Sequence, residues 1–485
     1  MTLRSVRLRP DSGAAALAAA FATIREENEV PAEFPPDVLA EAQEAARATT
    51  PPERDETGVE FVTIDPPGSK DLDQALAIDA DGSGYRVRYA IADVPAFVAP
   101  GGAVDLEARR RVQTLYLPDG RSPLHPAVLS EGAASLLPDS ERSAYVWDLR
   151  LDADAVVAET QVYRARVRSR AQLDYASVQA DLDAGRAPRV IELLAQVGPR
   201  RMDLELARGG ASLPMPEQEV HVEGSGPDAV YRLRYRPPAP VEDYNAQISL
   251  LTGMAAADLM LQGGVGILRT MPPPDEKAVS RFRRVVAAHG LSWPQEQSYG
   301  AFLRGLDRTD PVHLAIIHEA TGLFRGAGYT PFDGTRPEQV EHAAVAAAYA
   351  HVTAPLRRLV DRFGLAACAA LSAGEEVPDW VRAALPELPE IMRAGDRRAS
   401  AIERACTDAV EAAELHDQVG QEFAAVVVDD RGEKGYVVAL IDPAIVAPCR
   451  RPEGAAAPAA GDAVRVRLLE ADIEARRVSF EIAGR

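Results

Sequence analysis

Hydrophobic and polar positions alternate along several short stretches in the first third of the chain. The stretches are 61–65, 75–78, 85–92 and 144–149. Alternation over about four to eight residues, bounded by Gly, Pro and Asp, is typical of β-strands that bury one face. We therefore predict a sheet between Val59 and about Leu151.

The period of the apolar positions changes further along the chain. Between Glu242 and about Gln418, apolar residues recur at the spacing of amphipathic helices. The pattern predicts helices at 243–261, 275–288, 311–323, 338–350, 356–372 and 396–417. Strands followed by a run of helices indicate an α+β domain.

The residues before the predicted sheet also have a helical pattern, which prolines interrupt. Leu17, Phe21 and Ile24 recur at helical spacing, and Asp11 and Ser12 are candidate caps. The basic start of the chain superficially resembles a targeting sequence, but this spacing favours an amphipathic helix.

After Gly420 the pattern returns to short alternating stretches. They lie at 422–428, 435–441, 463–469 and 477–482. Their number and spacing favour a small OB-type barrel of about five strands. The sequence as a whole predicts a helical segment at 1–58, a large α+β domain at 59–418 and a barrel at 419–485.

Overall charge argues against a polyanionic partner, whereas the distribution of arginine does not. The 485 residues include 53 Lys and Arg against 73 Asp and Glu, a net charge of −20. Affinity for RNA depends on cations that neutralise phosphates. Local clusters can provide them, and arginines group at 109–111, 164–170, 281–284 and 357–362. For each cluster taken singly, an ordinary solvated face is the commoner explanation.

Cysteine usage and hydropathy indicate the compartment. Cys368, Cys406 and Cys449 are far apart and form no C-x-x-C pair. This spacing argues against a zinc cluster or a disulfide framework and fits a reducing cytoplasm. Since no apolar run approaches the length of a membrane span, we expect no membrane association.

A group of carboxylates directly follows the first predicted strand. Asp65, Asp71 and Asp73 lie within nine residues, around a Pro-Pro-Gly turn that can bring them together. Hard carboxylate oxygens select Mg²⁺ or Mn²⁺, and the chemistry that they suggest is metal-assisted phosphodiester hydrolysis. On spacing alone, a solvated acidic loop is the commoner explanation.

Several motifs in one order resemble those of the ribonuclease II (RNB) family. They are T-I-D-P-P-G-S-K-D-L-D-Q-A at 63–75, I-A-D-V at 91–94, T-L-Y-L-P-D at 114–119 and Y-A-H-V-T-A-P-L-R-R at 349–358. The resemblance implies an RNB-type catalytic domain with a mixed sheet and surrounding helices. It also implies a 3′→5′ exoribonuclease that hydrolyses single-stranded RNA to nucleoside 5′-monophosphates.

The resemblance assigns roles residue by residue. Asp65, Asp71, Asp73 and Gln74 fall on the four positions where the family's aspartates hold magnesium, and Asp73 and Arg357 are the expected catalytic residues. The guanidinium of an arginine can bind two phosphate oxygens at once and offset charge that develops in the transition state. The expected RNA-binding residues are Tyr116, which falls on an aromatic that stacks near the 3′ end, and Tyr349, His351, Thr353, Arg358 and Glu242.

The sequence departs from the family pattern at several points. Gln74 replaces the fourth aspartate, so the predicted site loses one charge. Ala354 replaces a serine and Leu359 a tyrosine beside the catalytic arginine. The family's usual paired cold-shock domains do not precede the sheet. RNA capture is therefore expected from the barrel, the short helices or a protein partner, and the barrel's candidate stacking aromatics are Phe423, Tyr436 and Phe480.

Two alternatives to an active exoribonuclease remain open at this point. Gln74 is compatible with an RNA-binding homologue whose catalysis is weak or lost. The acidic composition is compatible with a metal-dependent phosphoesterase that acts on a substrate other than RNA.

Overall fold

The computed structural model describes residues 13–211, 217–223, 230–236, 238–307, 310–440, 445–451, 458–459 and 461–484. In chain order, its helices are α1 (Gly13–Glu27), α2 (Pro36–Ala48), α3 (Ala103–Arg111), α4 (Tyr175–Asp183), α5 (Arg189–Ala207), α6 (Pro240–Gly263), α7 (Glu276–Ala288), α8 (Tyr299–Arg304), α9 (Pro311–Ala320), α10 (Leu359–Ala373), α11 (Asp379–Ala384) and α12 (Leu388–Leu415). Its strands are β1 (Phe61–Ile64), β2 (Gln74–Asp81), β3 (Gly84–Ala92), β4 (Leu115–Leu117), β5 (Gly120–Ser122), β6 (Glu141–Leu151), β7 (Val157–Leu173), β8 (Glu217–Glu223), β9 (Val230–Arg236), β10 (Val265–Thr270), β11 (Gly328–Asp333), β12 (Glu341–His342), β13 (Ala347–Ala348), β14 (Glu422–Asp430), β15 (Tyr436–Leu440), β16 (Val446–Arg450), β17 (Ala463–Asp472) and β18 (Arg477–Gly484).

The first sheet closes into a barrel in the order β1-β2-β3-β6-β7. Strand β7 makes the closure possible because it pairs antiparallel with β6 and then parallel with β1, where Leu173 lies opposite Ile64. The mixed sheet predicted from the alternating stretches is confirmed. Strand β7 was missed, because its arginines were interpreted as a charge cluster although they alternate with buried Val162, Ala165 and Val167.

Helices α6 and α10 cover the first barrel and share its core. Ile248 and Leu251 of α6 and Phe363 of α10 are fully buried there. Gly253 lets the chain that precedes α10 lie directly on α6, because a Cβ at this position would lie 2.1 Å from Cε2 of Tyr349. This contact therefore brings the segment before α10 close to the backbone of α6.

The helix predicted at 338–350 is wrong. This segment contains the short hairpin of β12 and β13, in which Glu341 pairs with Ala348 and Ala346 has a φ of 52°. Its backbone groups bond across this hairpin and to the end of β10, where the amide of Arg269 donates to the carbonyl of Tyr349 at 2.8 Å. Tertiary pairing outweighs the high helix propensity of the alanines.

The second barrel has the order β14-β15-β16-β18-β17 and confirms the predicted OB-type fold. Strand β16 was missed. Position 441, the last of the predicted strand 435–441, lies outside the described residues. Tyr436 and Phe480 are 1% and 0% exposed, so their proposed role as stacking surfaces is wrong; they form the barrel core. Phe423 is partly buried and packs edge-on against Phe480.

Helix α12 connects the cores of the two barrels. Its Leu388 and Met392 belong to the core of the first barrel, and its Ile402 belongs to the core of the second. Helix α1 joins the second core through the predicted face of Leu17, Phe21 and Ile24, each of which is fully buried.

Two further expectations concern the caps of α1 and the absence of a membrane span. Asp11 and Ser12, the candidate caps of α1, lie outside the described residues. Within the described part of the chain, no helix has the length and apolar character needed to cross a membrane.

Candidate active site

The aspartates lie on an extended segment between β1 and β2. Leu72 is fully buried, its amide hydrogen-bonded to the Ser135 hydroxyl at 3.0 Å and its carbonyl to the Leu136 amide at 3.0 Å. Successive side chains of an extended segment point to opposite sides. The anchor at Leu72 therefore directs its two neighbours, Asp71 and Asp73, to the side opposite the core.

Asp73 contacts the segment that precedes α10. Its Oδ1 accepts a hydrogen bond from the amide of Leu356 at 2.7 Å, and its Oδ2 lies 3.6 Å from Nε of Arg357. The Asp73 side chain is 7% exposed, whereas that of Arg357 is 53% exposed. The fold thus joins the two expected catalytic residues and leaves the guanidinium accessible to a phosphate.

The predicted carboxylate cluster is short of positive charge. Burial raises the pKa of Asp65 to about 6 and that of Asp73 to about 8. The charge of Arg357 lowers both pKa values, and the charge of Asp71 raises both. A hard divalent cation would supply the missing charge, and carboxylate oxygens are the ligands that Mg²⁺ and Mn²⁺ prefer.

Arg121 occupies one of the predicted metal ligands and was missed by the sequence analysis. Its guanidinium contacts Asp71 at 2.5 Å and Glu131 at 2.7 Å. In the described part of the chain, no three His, Cys, Asp or Glu side chains are arranged as they stand to hold a metal ion. The donor chemistry fits a divalent cation. Arg121 bonds to Oδ1 of Asp71, and a carboxylate has a second oxygen that can bind the cation.

The Pro-Asp-Gly turn between β4 and β5 could have revealed Arg121. Turns of this composition connect hairpins, and this one places Tyr116 directly opposite Arg121. Tyr116 is 54% exposed. Burial of its hydroxyl and then the charge of Asp71 raise the pKa of Tyr116 to about 12.

Gln74, the predicted fourth ligand, has hydrogen bonds on both sides of its amide. Nε2 donates to the carbonyl of Thr353 at 2.7 Å, and Oε1 accepts from the hydroxyl of Tyr89 at 2.6 Å. The same hydroxyl lies 2.9 Å from Oγ of Ser249 on α6. The assignment of Gln74 as a metal ligand stays a prediction.

The remaining residues expected to bind RNA have protein contacts of their own. Nδ1 of His351 bonds to the Tyr329 hydroxyl at 2.8 Å, and the ring of Tyr349 packs edge-on against that of His351. Nη2 of Arg358 bonds to Asp361 at 2.7 Å. Their roles towards RNA stay predictions.

Glu242 and Thr353 complete that set. Oε1 of Glu242 accepts from the amide of Ala239 at 2.7 Å, which caps the start of α6. Thr353 is buried, and its carbonyl accepts the Gln74 amide. Both residues thus have structural bonds, and their contacts with RNA also stay predictions.

Several of the clustered arginines form ion pairs within the protein. Arg111 pairs with Glu107 at 2.8 Å, Arg164 with Asp93 at 2.6 Å, and Arg168 with Glu141 at 2.5 Å. These pairs support the solvated or structural explanation of their clusters. Arg357 differs because its nearest carboxylate contact is long and its side chain is half exposed.

The raised pKa values make the stability of the metal-free protein depend on pH. Asp73 binds its proton more tightly in the folded chain than in the unfolded one, where the pKa is near 3.8. The free energy of unfolding therefore falls as pH rises between these two values. Because Asn carries no charge at any pH, we expect Asp73→Asn to lose less stability than the wild type from about pH 5 to 8, by a few kcal/mol.

Denaturant unfolding at a series of pH values, with chelator present, measures this difference. When the chelator is replaced by Mg²⁺ or Mn²⁺ above pH 8, the difference in unfolding free energy between the two proteins should become smaller. A bound cation stabilises the ionised carboxylate of the wild type. Identical pH profiles for the two proteins would show that Asp73 is not destabilised by its surroundings.

Comparison with protein families gives two matches. The model described as RNB domain matches residues 53–363, and the model described as RNase II-type exonuclease C-terminal S1 domain matches residues 421–483. The domain bounds expected at 58/59 and 418/419 stay predictions. The S1 match coincides with the second barrel.

Individual relatives agree with these matches. The chain is 27% identical to ribonuclease R of Aquifex aeolicus over 460 residues, covering 87% of this chain and 63% of that protein. It is 27% identical to ribonuclease R of Escherichia coli over 410 residues, covering 79% of this chain and 49% of that protein. The chain thus spans less than two thirds of the length of these relatives.

A solved structure shows the same fold. Mycoplasma genitalium RNase R in complex with ribose methylated single-stranded RNA superimposes with a TM-score of 0.85, at 18% identity, over 96% of this chain and 78% of that one. The RNB match extends over more than half of the 485 residues. It includes the carboxylate segment and Arg357, and on this basis the chain belongs to the RNB family.

Proposed function

We propose that this chain is a metal-dependent 3′→5′ exoribonuclease that hydrolyses single-stranded RNA to nucleoside 5′-monophosphates in the cytoplasm. The observation that supports it most is the contact of Asp73 with both the Leu356 amide and Arg357. Residues 283 positions apart along the chain thereby combine a carboxylate cluster with an accessible guanidinium. Membership of the RNB family supplies the direction of attack and the product.

The site residues divide the chemistry among them. Asp65, Asp71 and Asp73 would hold Mg²⁺ or Mn²⁺, which when bound activates water and neutralises phosphate charge. Arg357 can bind two oxygens of the phosphate and stabilise the charge that develops on them. The Leu356 amide fixes one oxygen of Asp73, so that the other stays directed towards Arg357.

Tyr116 is proposed to stack on a base near the 3′ end. Its exposed ring beside the carboxylates is suitably placed, and stacking on an aromatic face is worth about 1–3 kcal/mol for any base. Such an interaction holds the strand without reading its sequence.

A second candidate function is RNA binding with weak or lost catalysis. The observation in its favour is that both atoms of the Gln74 amide already have protein partners, so the family's fourth ligand is weakened or absent.

Incubation of a 5′-labelled single-stranded oligonucleotide with Mg²⁺ or Mn²⁺ separates these functions. Stepwise shortening with release of 5′-monophosphates supports the exoribonuclease. Retention of intact RNA supports the binding protein. Absence of both binding and cleavage rejects both proposals and favours a phosphoesterase with another substrate.

We expect Tyr116→Ala to lengthen the shortest fragment that remains at the end of digestion. Loss of about 1–3 kcal/mol of stacking weakens the grip on short strands more than on long ones, which keep other contacts. A denaturing gel at single-nucleotide resolution measures the fragment. Tyr299→Ala, a tyrosine in the helical region around α8, is the control, and an unchanged end product in Tyr116→Ala would refute the assignment.

A further inference from the structure

Gln74 is bonded in a way that the family's aspartate could not reproduce. The Thr353 carbonyl can only accept a hydrogen bond, so the group that faces it at 2.7 Å must be the amide nitrogen. The amide oxygen is then left for the hydroxyl of Tyr89, which also reaches Ser249 on α6. One side chain thereby links β2, β3, α6 and the segment before α10.

That segment, residues 353–358, carries Arg357 and has little regular structure to hold it. Its backbone is bonded at both ends. At the end near Arg357, the Thr114 amide donates to the carbonyl of Arg357 at 3.0 Å. The Ala354 amide donates to Asp361 at 2.7 Å, and the Leu356 amide donates to Asp73 at 2.7 Å. The bond from Gln74 to Thr353 holds the first residue of the segment, so it contributes to the position of Arg357 together with the bonds further along.

A carboxylate at position 74 would act differently. It has no hydrogen to donate, so it would face the Thr353 carbonyl with like partial charge, and an aspartate is also one methylene shorter than glutamine. A buried polar group that loses its hydrogen-bond partner destabilises the folded state. Both Tyr89 and Thr353 are buried, so water cannot readily replace the lost partner.

We propose that Gln74 is a positioning residue, which fastens the Arg357-bearing segment to the carboxylate strand and to α6, and that it does not act as a metal ligand. The catalytic purpose of this positioning rests on the proposed function. The test of it does not, because it uses protein free of metal and RNA. It reverses the expectation from sequence that Gln74 is a weakened ligand. Replacement by the family's aspartate should loosen the segment and should not improve metal binding.

Amide hydrogen exchange of residues 353–358, in protein free of metal and RNA, tests the proposal. We expect Gln74→Met, which keeps length but removes both bonds, and Gln74→Asp to speed this exchange roughly fivefold, as loss of a net bond of about 1 kcal/mol implies. Gln74→Glu keeps the acceptor for Tyr89 and loses the donor, so it should behave in the same way. Gln172→Met is the matched control, because Gln172 donates to the carbonyl of Ser69 on the other side of the cluster.

Calorimetric titration with Mn²⁺ separates the two roles of Gln74. A positioning residue predicts faster exchange with Mn²⁺ affinity changed by no more than a few-fold in Gln74→Met. Unchanged exchange with Mn²⁺ affinity lowered at least about tenfold would identify Gln74 as a ligand and overturn the proposal. Unchanged exchange and affinity would overturn it too. A wild-type protein that fails to hydrolyse RNA would refute the proposed function, while leaving the exchange result interpretable.

Discussion

Asp73→Asn is expected to reduce RNA hydrolysis at least about 100-fold, while RNA affinity stays within a few-fold of the wild-type value. Asparagine keeps an oxygen that can accept the Leu356 amide, so the segment that carries Arg357 should remain in place. The variant loses the negative charge, which both metal binding and activation of water require. Single-turnover cleavage and fluorescence anisotropy with a labelled oligonucleotide measure the two quantities.

Asp81→Asn is the matched control for this experiment. It makes the same chemical change at the far end of β2, the strand that follows Asp73, at an exposed aspartate that pairs with Arg150 at 3.0 Å. We expect wild-type hydrolysis from this control. Wild-type hydrolysis from Asp73→Asn as well would remove Asp73 from the catalytic residues.

Arg357→Ala is expected to lower kcat by about 100-fold or more, with a smaller effect on KM, because the guanidinium stabilises charge that develops in the transition state. Arg357→Lys should recover only part of this loss, since a single ammonium cannot bind two phosphate oxygens at once. Steady-state kinetics on a short oligonucleotide measure both parameters. Arg397→Ala, at an exposed arginine of α12, is the control.

The pH profile provides a second measurement for the same variant. Arg357 lowers the pKa values of Asp65 and Asp73, so its removal should raise both. The carboxylates of Arg357→Ala then ionise at higher pH, and the deficit relative to the wild type should shrink as pH rises at limiting metal concentration. In the steady-state kinetics, a rise in KM of about 100-fold with unchanged kcat would instead indicate that Arg357 only anchors the substrate.

The features that could be predicted from the sequence depend on local patterns of residues. The strands around the carboxylates follow from alternation, and the buried face of α1 follows from the spacing of Leu17, Phe21 and Ile24. The resemblance carried by ordered motifs identified the RNB family, and it selected Asp73 and Arg357, which the fold brings into contact.

The features that escaped prediction depend on contacts between distant parts of the chain. Gln74 and Thr353 are 279 positions apart, and no property of either residue alone indicates their bond. The alanine-rich segment at 338–350 has the composition of a helix, but pairing with β10 directs its backbone elsewhere. The arginines of β7 were interpreted by charge, although their alternation with apolar residues indicates a strand.

The packing of α1 against the second barrel has a consequence for folding during synthesis. Glu27, at the end of α1, pairs with Arg476 of the barrel at 2.6 Å, across 449 positions of sequence. At about 5–20 residues per second, roughly 20 to 90 s separate the appearance of these two residues from the ribosome. Helix α12 and the second barrel share the core that buries the apolar face of α1, and both are made late in synthesis. Nascent chains should therefore need a chaperone, or a transient non-native contact, to shield Leu17, Phe21 and Ile24 until α12 and the barrel are made.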